Sequence, residues 1–187
     1  MEMLQIWLEM MSSKNHKTFK HRSQMNFKKL INEYENFPTS GVNFKDISPL
    51  LASEEFGSII DLMGNMVRKP DCWVGIESRG FIFASALAVK FGGGLLLCRK
   101  AGKLPGKIIT ESYETEYSKD KLSIKHGTGD IIIVDDVLAT GGTMMVVNKL
   151  CQSAGYNILD NLVLIDLKYV PRINGYNCST KSLINYE

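Results

Sequence analysis

The sequence predicts an α/β protein with a central, mainly parallel sheet flanked by helices, and three observations predict it. CWVGI (72–76), IIIV (131–134) and LVLIDL (162–167) are near-continuous apolar runs of strand length, the pattern of strands covered on both faces. Stretches of helix length alternate with them, and Gly, Pro or Asp punctuates the joins. The chain has 187 residues, enough for one core that buries roughly 70% of the unfolded surface without a disulfide or structural metal.

In order along the chain, Cys72 to Ile76 is a short strand and Phe81 to Phe91 (FIFASALAVKF) an apolar helix stopped by Gly92, Gly93 and Gly94. Leu95 to Cys98 is the next strand. GTGD at Gly127 then leads into the strand Ile131 to Val134. A helix from about Thr143 to Ala154 sets Val146, Val147, Leu150 and Ala154 inward and stops at Gly155. Leu162 to Leu167 closes the series. Strands alternating with helices imply βαβ units, and in such sheets ligands bind beyond the carboxyl ends of the strands.

The first residues differ from the rest. MEMLQIWLEMM places Leu4, Trp7, Leu8 and Met11 on one helical face but opens with an acid, unlike a secretory signal. SSKNHKTFKHR, basic and poor in large apolar residues, reads as a solvated linker. Residues 1–24 are therefore expected to be an appended segment, with a single domain spanning 25–187. A formal charge of +2 argues for neither nucleic acid nor membrane as partner. No apolar run reaches the roughly 18 residues of a membrane span. Cys72, Cys98, Cys151 and Cys178 lie far apart without ligand spacing, as expected of thiols in a reducing, cytoplasmic setting.

The most informative stretch is IIIVDDVLATGGTM (131–144). A doubly buried strand has no use for two carboxylates, so Asp135 and Asp136 are expected where a ligand can reach them. Ala139, Thr140, Gly141, Gly142 and Thr143 form the turn into the next helix, whose first N–H groups lack helical partners and favour an anion. The helix dipole supplies only about 0.3 to 1 kcal/mol, so most affinity for a phosphate must come from the N–H bonds. Acids repel a phosphate, so Asp135 and Asp136 need donors: sugar hydroxyls, a cation, or both. The stretch also has the outline of a nucleotide hydrolase's acidic strand, but that needs a GxxxxGK[ST] partner, and GKLPGK (102–107) has the wrong spacing. No GxGxxG opens a helix.

IIIVDDVLATGGTM resembles the phosphoribosyl pyrophosphate signature of the type I phosphoribosyltransferases. The resemblance implies their fold, with a small hood and a flexible lid loop beside the sheet. It also implies that residues 139–143 hold the 5′-phosphate while Asp135 and Asp136 hold the ribose hydroxyls. Magnesium is the implied cofactor, carried by substrate oxygens and water with no direct protein ligand.

FPTSGVNFKDISPLL (37–51), ESRGFIFASALA (77–88), RKAGKLPG (99–106) and the final SLINYE resemble the adenine phosphoribosyltransferases of that family. That branch joins adenine to phosphoribosyl pyrophosphate, giving AMP and pyrophosphate in purine salvage. Residue by residue, the resemblance puts Ser78 and Arg79 on the pyrophosphate and implies a cis peptide between Glu77 and Ser78. Arg99, Lys100 and Lys103 match a basic loop that reaches the neighbouring subunit's pyrophosphate, so a homodimer is implied. Without the resemblance that loop reads as a solvated basic turn.

Asn43, Phe44, Lys45 and Leu167 match the adenine site. The residue matching Asn43 uses its backbone, with C=O accepting from the exocyclic amine and N–H donating to the ring. A 6-oxopurine presents the opposite order and would leave buried groups unpaired, at about 1 to 3 kcal/mol each. Lys45 stands where arginine is common and lacks the planar fork. Core packing is the equal alternative for Leu167. Ile108 to Ile124 has the length of a lid or an exposed ribbon, and Glu116 and Tyr117 match its catalytic pair. A 6-oxopurine transferase is the nearest rival. A nucleic-acid-binding regulator would need a winged-helix domain, for which residues 1–24 are too short.

Overall fold

The computed structural model describes residues 27–114 and 119–187. The chain divides into two compact units, the first ending at Ser58 and the second running Ile59–Glu187. In the first, β1 (Asn32–Glu35) and β2 (Asn43–Asp46) form an antiparallel pair with Glu33 opposite Lys45 and Glu35 opposite Asn43. Asp46 closes this ribbon. Its Oδ1 accepts from the Ser48 N–H at 2.9 Å and the Ser48 hydroxyl at 2.6 Å, starting the one-turn helix α1 (Ser48–Leu51). α2 (Glu55–Gly64) begins in this unit and continues into the second.

The second unit is built on a seven-stranded sheet. Its strands are β3 (Cys72–Ile76), β4 (Gly94–Lys100), β5 (Ile108–Glu114), β6 (Lys119–Lys125), β7 (Gly129–Leu138), β8 (Tyr156–Leu167) and β9 (Thr180–Tyr186). Their order is β5-β6-β4-β3-β7-β8-β9. The pairs β4-β3, β3-β7, β7-β8 and β8-β9 are parallel, and β6 pairs antiparallel with β4 and β5. The sheet is thus mainly parallel, as the apolar runs predict. Residues 108–124, expected as lid or ribbon, form the β5-β6 ribbon over their described part. Glu116 and Tyr117 lie outside the described residues.

Two helices cover the sheet's faces. α3 (Gly80–Phe91) packs on β3 and β7, and α4 (Gly142–Ser153) packs on β8 and on the ribbon. Ile131 to Val134 are all fully buried, because period two sends Ile131 and Ile133 into the core with Val147 and Leu150 of α4 while Ile132 and Val134 face the other way. The buried stripe of α4 is Met144, Val147, Leu150 and Cys151. Val146, expected inward, is only half-buried, and Met144 takes that place one turn earlier.

Candidate active site

The sheet order reverses between β3 and β7: from β3 the chain proceeds to β4 on one side, and from β7 to β8 on the other. Such a switch point opens a crevice at the carboxyl ends of the strands. β3 stops pairing with β7 at Gly75 opposite Val134, whereas β7 continues along β8 as far as Leu138. Asp135 and Asp136 therefore stand within β7 rather than past its end. They lie beyond the reach of β3, which leaves that side of β7 open to the loop after β3.

That loop carries the cis peptide Glu77–Ser78 that the resemblance implies. Arg79 follows, and its Nε lies 2.8 Å from Asp136 Oδ2. The same carboxylate oxygen is buried and accepts no well-aligned hydrogen bond from a described residue. Asp135 Oδ1 accepts the Asp136 N–H at 2.9 Å. Burial, then repulsion from Asp136, lifts the Asp135 carboxyl well above the ordinary carboxylate range. Burial also lifts Asp136, against the pull of Arg79. Two acids crowded in this way favour incoming hydroxyl donors.

Gly80 explains how the loop comes so close. A Cβ there would lie 2.6 Å from the Val134 carbonyl oxygen and 3.1 Å from Asp135 Oδ1, so only glycine lets the start of α3 approach β7. Glu77, which sequence reasoning left without a role, ties this loop to β4. Its Oε1 lies 3.1 Å from Arg99 Nη2, and its Oε2 accepts the Lys100 N–H at 2.7 Å. Burial acts to raise the Glu77 carboxyl, but these donors outweigh it and leave it below the usual carboxylate value. Arg99 also donates to the Lys103 carbonyl at 3.4 Å, so the basic turn is folded back on itself.

The turn after β7 encloses a cavity of about 100 Å³ lined by Asp135 and Val137 to Met144. Gly141 caps α4 with φ of 88°, a left-handed geometry open to glycine at little cost. Ala139 to Thr143 thus line a cavity beside the acid pair, all on one chain segment.

Asn43, Phe44 and Lys45 sit on β2 of the first unit. Lys45 is 3% exposed and its ammonium pairs with Glu33 directly across the ribbon, an occupation the sequence reading did not foresee. Asn43 Nδ2 donates to the same Glu33 carboxylate at 3.2 Å, while its Oδ1 is buried and accepts no hydrogen bond. Asn43 lines a cavity of about 230 Å³ with Glu35, Asn36, Gly41 and Val42. Leu167 is buried at the carboxyl end of β8. Among the described residues no cluster of three or more His, Cys, Asp or Glu is placed to hold a metal ion.

A doubly wound sheet with an acid pair and a glycine turn on the strand at its switch point defines a class, the phosphoribosyltransferases. The chain matches the phosphoribosyl transferase domain over residues 53–168. Among curated proteins it is 41% identical over 158 residues to the adenine phosphoribosyltransferase of Hydrogenovibrio crunogenus, covering 81% of this chain and 91% of that one. With that of Bdellovibrio bacteriovorus it shares 39% identity over 165 residues, 87% of this chain and 100% of the other. Of solved structures, adenine phosphoribosyltransferase from Thermoanaerobacter pseudethanolicus superposes with a TM-score of 0.79 at 35% identity, covering 87% of this chain and 99% of that one. The Saccharomyces cerevisiae enzyme, complexed with an imino-altritol bisphosphate and adenine, gives 0.79 at 31% identity over 86% and 98%. The chain belongs to the adenine phosphoribosyltransferase family.

Proposed function

We propose that this chain transfers the phosphoribosyl group of phosphoribosyl pyrophosphate to adenine, releasing pyrophosphate and forming AMP in purine salvage. One observation carries the reading: Asp135, the buried Asp136 and a glycine turn into α4 follow one another on a single strand-turn-helix segment, with Asp135 lining the cavity of that turn. The adenine and bisphosphorylated sugar mimic held by the yeast relative support the same pair of substrates.

In this reading Ala139 to Thr143 bind the 5′-phosphate and Asp135 and Asp136 accept hydrogen bonds from the ribose diol. Adenine meets the anomeric carbon on the face opposite the leaving pyrophosphate, so the product is inverted. Positive charge grows on the ribose ring as the bond stretches, and the two acids favour it while fixing its orientation. Ser78 and Arg79 stabilise charge on the departing pyrophosphate, and Arg99, Lys100 and Lys103 do so for that of the neighbouring subunit. Arg79, whose Nε lies 2.8 Å from Asp136, carries its positive charge beside the acid pair. The Asn43 backbone reads adenine, with Phe44 and Lys45 beside it on β2. Glu116, matched with Tyr117 to the family's catalytic pair, orients the purine or handles its ring proton.

Asp135 and Asp136 supply oxygen donors, the kind magnesium takes, beside the pyrophosphate oxygens and water that would carry the ion. When bound, that ion neutralises leaving-group charge. A homodimer is supported by α3, whose Ile82 and Val89 are seven residues apart on one helical face and exposed, Val89 at 89%. Val89→Glu should halve the sedimenting mass. The four free thiols suit the cytoplasm, and no described helix is long and apolar enough to cross a membrane.

The test is magnesium-dependent conversion of adenine to AMP by the purified full chain, run beside hypoxanthine and guanine. AMP from adenine alone is expected. Turnover of a 6-oxopurine in preference to adenine would replace this reading with its nearest rival.

A further inference from the structure

We propose that Arg172 is a positioning residue for the phosphate seat, a role that rests on the reading of residues 139–143 as that seat. Its guanidinium holds the Ala139 carbonyl, and the segment it anchors holds that of Thr140, away from the ligand, which aims the amides that follow toward it.

The contacts form a chain. Asp166, near the end of β8, is 1% exposed and is paired through one oxygen with Arg172 Nη2 and through the other with Lys168. With Nη2 so anchored, Arg172 Nη1 donates to the Ala139 carbonyl, and also to those of Leu167 at 3.2 Å and Val170 at 3.3 Å. The next residue, Ile173, donates its N–H to the Thr140 carbonyl at 2.9 Å. The Gly141 carbonyl is taken by the Met145 N–H at 3.0 Å, within α4. Three successive carbonyls of the turn are thereby engaged. The Tyr176 ring completes the brace. Its centroid is 5.9 Å from the Arg172 guanidinium, and a Cβ on Gly141 would come within 2.5 Å of the ring.

Peptide geometry turns these contacts into function. In a planar trans peptide the C=O and the following N–H point in opposite directions. Fixing the Ala139 carbonyl toward Arg172 therefore points the Thr140 N–H away from Arg172, and fixing the Thr140 carbonyl toward Ile173 does the same for the Gly141 N–H. A free carbonyl swinging into the seat would place partial negative charge against a phosphate dianion and remove a donor. Only a planar fork serves a carboxylate with one nitrogen and a carbonyl with another.

Lysine at this position keeps the positive charge that buried Asp166 requires but cannot span both partners, so Arg172→Lys separates positioning from stability. We expect its thermal midpoint to stay near that of the wild type. Its dissociation constant for ribose 5-phosphate, by calorimetry, should rise about tenfold, the scale of one charge-assisted hydrogen bond. The KM for phosphoribosyl pyrophosphate should rise in parallel while kcat changes less. Arg172→Met also leaves buried Asp166 with Lys168 as its one cation and should lower the midpoint as well. Ribose 5-phosphate affinity within twofold of wild type in Arg172→Lys overturns the proposal, as does an equal loss of adenine affinity, which marks general loosening. A wild-type chain that neither binds ribose 5-phosphate nor forms AMP overturns instead the reading beneath it.

Discussion

The loops after β3 and β7 meet at the same switch point yet are built in opposite ways. The loop after β3 works through side chains: Glu77 clamps it to β4, Arg79 reaches Asp136, and a glycine admits the start of α3. The loop after β7 works through its backbone, with a left-handed glycine and carbonyls engaged from outside. In the proposed reading the difference follows from the charge each loop would meet. A compact terminal phosphate suits converging N–H groups, whereas a departing pyrophosphate, whose charge grows during reaction, suits cationic side chains. Substitution should therefore act through charge at the first loop and the acids, and through geometry at the second.

The largest expected effect tests the charge side. Replacing Asp135 and Asp136 together by asparagine keeps shape and removes both acids, and AMP synthesis should fall by about two orders of magnitude or more. Stability should change in the other direction. Both carboxyls are raised above their unfolded value of 3.8, so the folded state binds protons more tightly and stability falls as pH climbs from that value toward the raised ones. The double variant should lack this decline in thermal melts across the same range. Activity near wild type would mean that the acids do not grip the sugar.

Gly141→Ala tests the backbone side. At φ of 88° an alanine is strained, and its Cβ would press within 2.5 Å of the Tyr176 ring. Displacing the turn should raise the KM for phosphoribosyl pyrophosphate about tenfold, with the adenine KM unchanged. Steady-state kinetics with each substrate varied in turn would show it. Equal changes in both constants would erase the contrast between the loops.

Much of this contrast was legible in the sequence, because buried parallel strands read as unbroken apolar runs and a phosphate turn needs glycine. β3 matches the expected Cys72 to Ile76 to the residue. The β7 end was misplaced by four residues, since its last turnless stretch is held by β8 alone and acids in a strand look like its end. Asp166 was the missed signal. It is an acid inside the apolar run LVLIDL, the same anomaly as Asp135 and Asp136, and the cations that answer it, Lys168 and Arg172, follow within six residues. Glu77 gave no such sign, because its partners come from β4, joined only by folding. The same holds for Lys45, whose pairing with Glu33 depends on ribbon register.

The smallest expected effect sharpens the picture of the first loop. Glu77 sits below its ordinary value of 4.5 because the Lys100 N–H and Arg99 favour its charged form more than burial opposes it. A lowered carboxyl adds stability that is present above the unfolded value and disappears as pH falls through the folded one. Glu77→Gln keeps the side chain's size but weakens both bonds, and with Arg99 partly exposed the loss should be about 1 kcal/mol at neutral pH. Thermal melts of the two proteins should differ at pH 7 and converge below 4.5, where the wild-type carboxyl takes up its proton. A gap that persists unchanged into acid would show that Glu77 acts by packing alone, and the loop after β3 would then owe its position to Gly80 and the Arg79 pairing instead.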